Sequence, residues 1–127
     1  MLTEYVKNWF MRADEDLALI EIISKEETIS PNSICFHAQQ AGEKYLKGFL
    51  ACNELHVRKV HDLGVLIEDC KNIDPSFEEL QDDARFLDQF YTESRYPDDY
   101  IESSREDAEG GYEAAKRIKE FILSKIK

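Results

Sequence analysis

The stretch from Pro31 to Asn53 constrains the fold most, because it is apolar over too wide an arc for a surface helix. Ile34, Ala38, Ala41, Tyr45, Phe49 and Cys52 recur at spacings of three and four, the period of one helical face. Cys35, Leu46 and Leu50 widen that face. A helix of this kind belongs at the centre of a bundle. Ser30 stands where an N-cap is needed, and Pro31 takes the first helical position, where its missing N–H is harmless. Gly42 and Gly48 each cost about 1 kcal/mol relative to Ala inside a helix. Close approach of a neighbouring helix is the expected compensation.

Four more helices read on either side. The first runs from about Tyr5 to Lys25, with Thr3 as cap and Val6, Trp9, Ala13, Leu17, Ile20 and Ile23 inward. After a short connection, His56–His61, a short helix runs from about Asp62 to Asn72 on Leu63, Leu66, Ile67 and Cys70. Asp74-Pro75 precedes a fourth helix from about Ser76 to Ser94, with Phe77, Leu80, Ala84, Leu87 and Tyr91 inward. Phe86 and Phe90 lie off that stripe and either extend the core or mark a partner surface. Tyr96-Pro97 stops this helix. Ser103 and Glu106 have capping-box form, and a fifth helix runs from about Ser104 to Ile126 on Ala108, Tyr112, Ala115, Ile118 and Ile122. The expected architecture is all-α: an up-and-down antiparallel bundle of four long helices plus one short helix, in a single domain over residues 1–127.

The charge pattern narrows the partners. The formal net charge is -11, which opposes broad binding to DNA or RNA, since phosphates demand Lys and Arg. Residues 74–109 hold thirteen acids against three arginines, whereas residues 110–127 hold five bases against two acids. That asymmetry is a solvated acidic face with a basic last turn that complements the helix dipole, or else it marks a basic partner or a local phosphate site. Cys35, Cys52 and Cys70 form no CxxC, so a reduced, cytoplasmic protein is expected. No signal peptide is expected at the N-terminus. No apolar run approaches the length of about 20 residues that spans a membrane. HExxH, ExxH, P-loop and GxGxxG motifs are missing, so neither metal nor cofactor is expected, and the abundant carboxylates are assigned to outer faces.

Four groups of residues carry a resemblance. They are Trp9 with Ala13, Asp16 and Leu17; the run from Cys35 to Lys47, CFHAQQAGEKYLK; His61-Asp62-Leu63; and Tyr91 to Pro97, YTESRYP. Together they resemble the HEPN family over nearly the whole chain. The resemblance implies a five-helix bundle that commonly dimerises. It also implies a separate minimal nucleotidyltransferase as partner, in a toxin–antitoxin-like pair. Some members are ribonuclease toxins. These use an Arg followed, after four to six residues, by a His, with two such pairs meeting across the dimer.

That pair is absent here. Arg95 is followed after four residues by Tyr100, and no His occurs after His61. Tyr has a reference pKa of about 10, a poor base at neutral pH. Arg95 beside Tyr96 remains a candidate phosphate clamp and base-stacking pair, or a structural ion pair to Glu93, Asp98 or Asp99. His37, Gln40 and Lys44 share one face of the second helix, either as a groove that reads a nucleotide or as a buried polar network with a snorkelling Lys. His61 at a helix start reads as structural or capping. The leading expectation is a non-catalytic homodimer that pairs with a nucleotidyltransferase and holds a nucleotide or RNA in its cleft. The alternatives are a ribonuclease toxin using Arg95 with Tyr100 or a distant His, and a stand-alone nucleotide-binding adaptor. Phe86, Phe90 and Tyr100 are the aromatics assigned to the dimer surface.

Overall fold

A computed structural model describes residues 2–91 and 102–126. Its elements are α1 (Glu4–Ile23), α2 (Pro31–Cys52), α3 (Leu63–Lys71), a 3-10 turn (Pro75–Leu80), α4 (Gln81–Asp88) and α5 (Arg105–Lys125). The all-α bundle expected from the stripes is present.

Capping residues set most helix starts. Thr3 accepts the Val6 N–H, and Ser30 accepts the Asn32 N–H with Pro31 opening α2. Asp62 accepts the Val65 N–H at the start of α3. The capping box of α5 is Ser104 with Asp107, one residue later than expected from Ser103 and Glu106. Ser103 is buried, and its N–H donates to Asn32 Oδ1 at 2.6 Å, which ties the start of α5 to α2. The fourth long helix is divided. Asp74 caps a 3-10 turn at Pro75, and α-helical geometry begins only at Gln81 and ends at Asp88. Its expected end at Ser94 lies outside the described residues.

Contacts give the directions. Phe10 lies by Gly48 and Asp14 by Tyr45, so α1 and α2 are antiparallel. Residues 53–62 then return along α2, bringing His61 back to Gln39 and Glu43. Leu63 sits against Gly42, while the other end of α3 reaches Glu78 through Lys71. Helix α3 therefore runs the same way as α2. Phe77 packs on Phe49 and Asp88 meets Gln39, so α4 opposes α2, and the Asp83–Arg117 and Asp74–Lys125 pairs show α5 opposing α4. Those two pairs also match part of the basic α5 to the acidic stretch before it.

Helix α2 is central, as its wide apolar arc required. Fourteen of its residues are buried, and α1, α3, α4 and α5 all pack on it. Its glycines allow the approach. A methyl group on Gly42 would lie 3.1 Å from Leu63, 3.3 Å from Ile118 and 3.4 Å from Leu87, and one on Gly48 would lie 2.6 Å from the Phe10 ring. Phe86 and Phe90 are half-buried, stack edge-on and pack against the core, so they extend it rather than standing exposed. Tyr100 lies outside the described residues.

Two substitutions test this packing. Glu54 follows α2 in the left-handed region at φ 60, a conformation costly for a side chain with a Cβ. Glu54→Gly should raise unfolding free energy by about 0.5–1 kcal/mol in urea titration. Gly42→Val should lower it by about 1–3 kcal/mol through overpacking against three core neighbours.

Candidate functional site

A central helix must satisfy its polar groups within the protein, and α2 carries several. Asp16, placed on α1 between Ala13 and Ile20, is buried and accepts from His37 Nδ1 at 3.2 Å and Lys44 Nζ at 2.7 Å. Also on α2, Glu43 and Lys47 are both about 5% exposed and form an ion pair at 2.9 Å. Glu43 also accepts from His61 Nδ1 at 2.9 Å. The Lys47 ammonium lies 5.7 Å from the Trp9 ring centroid, and the Trp9 indole N–H is buried without a hydrogen-bond partner. Asp16 and Glu43 thus leave the outer faces to which the carboxylates were assigned. Each is held inside by cations that would themselves be stranded without it.

Gln39 links this edge to the rest of the fold. It is fully buried and donates to the His61 carbonyl at 2.7 Å and toward Asp88 at 3.5 Å. Its own carbonyl accepts from Gln40 Nε2 at 2.9 Å. Asp88 in turn accepts the Leu63 and Gly64 N–H groups, so the end of α4 caps α3. A row of rings runs along the same edge. Tyr91 stacks on His61 at 4.9 Å and on Phe36 at 6.4 Å, and Phe36 meets His37 edge-on at 5.5 Å. Beside it, a cavity of about 590 Å³ is lined by Lys59, His61, Asp62, Asp88 and Tyr91 among others.

Of the residues singled out in the sequence, His37 and Lys44 meet on Asp16, and Gln40 lies on the same edge tied to Gln39. Lys44 is an ion-pair partner rather than a free snorkelling cation. His61 packs its ring on Tyr91 and pairs with Glu43, while its neighbour Asp62 does the capping. Arg95, Tyr96 and Tyr100 lie outside the described residues. Gln39, Glu43, Lys47 and Asp88 were missed as members of the site. For the three on α2 the signal was present: polar residues inside the central helix, with Glu43 and Lys47 four apart on one face; Asp88, at the end of α4, had no such signal. Among the described residues, no group of three His, Cys, Asp or Glu side chains is placed to hold a metal. No helix there is long and apolar enough to cross a membrane.

The charge states follow from these contacts. Burial raises the Asp16 pKa, but the bonds from His37 and Lys44 outweigh it and leave it below 3.8. Asp74 is lowered to about 2 by the Ser76 hydroxyl and N–H and by Lys125. Asp88 moves the other way: burial and the nearby Asp62 raise it despite two backbone donors.

Lowered carboxylates stabilise above the unfolded pKa and lose that contribution as pH falls through the folded one. Urea stability should therefore drop between about pH 4 and pH 2, and Asp16→Asn should flatten part of that slope. Asp88, with its raised pKa, contributes in the opposite sense: its stabilisation is present at low pH and lost as pH rises through its folded value. Glu43→Leu leaves Lys47 buried without a counter-charge and should cost about 3–5 kcal/mol. The double variant with Lys47→Met should recover most of that loss.

The comparisons agree with the fold. The HEPN domain model matches residues 6–126. The structure superposes on ST0689, described as an archaeal HEPN homologue, with a TM-score of 0.77 and 29% identity, covering 96% of this chain and 98% of that one. It also superposes on TT1696 from Thermus thermophilus, with a TM-score of 0.82 and 27% identity, covering 98% of this chain and 100% of that one. No curated protein matches. The match over nearly the whole chain shows that this protein belongs to the HEPN domain family.

Proposed function

We propose that this HEPN-domain protein is a non-catalytic, cytoplasmic homodimer that pairs with a separate minimal nucleotidyltransferase in a toxin–antitoxin-like system, with nucleotide or RNA held in the dimer cleft. One observation carries the reading. The two lysines on the polar edge of α2 are already committed, Lys44 to Asp16 and Lys47 to Glu43. A ribonuclease needs cations free to hold phosphate and a base placed beside them. Here the two α2 lysines are neutralised by carboxylates, and the Arg95 pattern ends in Tyr100. An edge of this kind suits recognition better than phosphoryl chemistry. His37 and His61 lie along it, so a ribonuclease that recruits a distant His with Arg95 is the reading to be tested against.

Expression of the chain alone should leave growth and cellular RNA unchanged. The tagged chain should co-purify with the nucleotidyltransferase encoded beside it. RNA breakdown that Arg95→Ala abolishes would establish the ribonuclease instead. Failure of the two purified proteins to associate at micromolar concentration would remove the partner.

A further inference from the structure

A helix packed against one side of a bundle is expected to be polar on its other side. Helix α1 departs from this. Its buried residues Val6, Ala13, Leu17 and Ile20 take one side, against α2, and it packs only lightly on α5. Yet of the seven large hydrophobic side chains that stand exposed among the described residues, five lie on α1 or just before it: Leu2, Tyr5, Met11, Leu19 and Ile22. They are not scattered. At 3.6 residues per turn, Met11, Ala18 and Ile22 fall within about 40° of one another, with Leu19 on their flank. Leu2, Phe10, Met11 and Ala18 line a groove of about 490 Å³ on this face. Phe86 and Phe90, the aromatics assigned from the sequence to a dimer surface, are taken up by the core.

Charge decides what can cover that face. Lys7 lines the groove four residues before Met11, and Asp14 and Glu15 line it three and four residues after. Lys7 and Glu15 are exposed and form no ion pair among the described residues. A groove with its cation toward one end, its acids toward the other and apolar residues between them is complementary to itself, provided that the second copy runs the opposite way. With a two-fold axis at Met11, residues equally far before and after it face one another across the contact. Lys7 of one protomer then meets Glu15 of its partner, and the same pair forms a second time by symmetry. Met11 packs on its own copy, and Leu2 reaches Ala18 and Leu19. A parallel pair would set Lys7 on Lys7 and Glu15 on Glu15, and an antiparallel pair centred on Glu15 would bring two carboxylates together. Of these registers, the one at Met11 joins apolar to apolar and cation to acid. We infer that the outer face of α1 is the homodimer interface, an antiparallel α1–α1 contact centred on Met11. This rests on the homodimer reading above and says where that dimer forms. One helix pair is a small interface, so dissociation in the micromolar range is expected.

Sedimentation equilibrium of the full chain, from about 1 to 100 µM, tests this. Wild type should fit a monomer–dimer equilibrium. Met11→Glu should weaken the dimer at least ten-fold with an unchanged melting temperature, since Met11 is exposed in the single chain. Lys7→Glu should weaken it at least five-fold, and Lys7→Glu with Glu15→Lys should return to within about two-fold of wild type, because the reversed pair forms again across the two-fold axis. Leu123→Glu, at an exposed apolar position on α5, should leave the equilibrium unchanged. A dimer as tight in Met11→Glu as in wild type overturns the α1 assignment and leaves the homodimer reading standing. A wild-type chain that stays monomeric overturns both. A double charge reversal weaker than Lys7→Glu alone rejects the antiparallel register. If Met11→Glu keeps the dimer but loses the nucleotidyltransferase, the face belongs to that partner and the proposal fails. If wild type dimerises as described but does not bind the nucleotidyltransferase, the partner reading fails and the interface stands.

Discussion

The pairing of Asp16 with His37 and Lys44 is the interaction on which the rest depends. Helix α2 is wrapped by α1, α3, α4 and α5, so its Gln39, Glu43 and Lys47 are buried away from water and His37 and Lys44 are only partly exposed. A buried ammonium or carboxylate without a partner costs several kcal/mol, far more than a surface ion pair gains. Each charge on this helix is therefore answered by another. Asp16 comes from α1, Glu43 from one turn along α2 itself, and Gln39 reaches the connection before α3 and the end of α4. Apolar packing holds the helices together, and these polar contacts fix which face of α2 meets which neighbour.

Much of this arrangement was legible in the sequence. The stripes of α1, α2, α3 and α5 follow the 3.6-residue period closely, and Thr3, Ser30 and Pro31 cap where their chemistry allows. Gly42 and Gly48 mark close approach because nothing else explains them in a buried helix. Other features depend on contacts between residues distant in the chain. Pro75 opens a 3-10 turn, which stripe spacing does not separate from an α-turn. Ser103 has the form of a cap but is drawn to Asn32, so Ser104 takes that role. The direction of α3 follows from the return of residues 53–62 along α2, which connection length alone does not decide.

The site was half legible for the same reason. His37, Gln40 and Lys44 share a face by spacing alone, and the face was found. Their partners were not, because Asp16 is 21 residues from His37 and His61 is 18 from Glu43. Without those partners Lys44 reads as a cation of a nucleotide groove or as a snorkelling side chain. With them it reads as the counter-charge of a buried carboxylate. Family membership names the bundle, and the partners of α2 decide what chemistry its edge offers. That edge has two committed lysines and a row of stacked rings.

Everything proposed for the edge requires that internal carboxylates hold the cations of α2. A double-mutant cycle on Asp16→Asn and Lys44→Met, read by urea unfolding at pH 7, measures this most directly. Cations held in this way give a coupling free energy of about 1–3 kcal/mol. Additive effects, with coupling indistinguishable from zero, would contradict it and return Lys44 to the pool of cations free to bind phosphate.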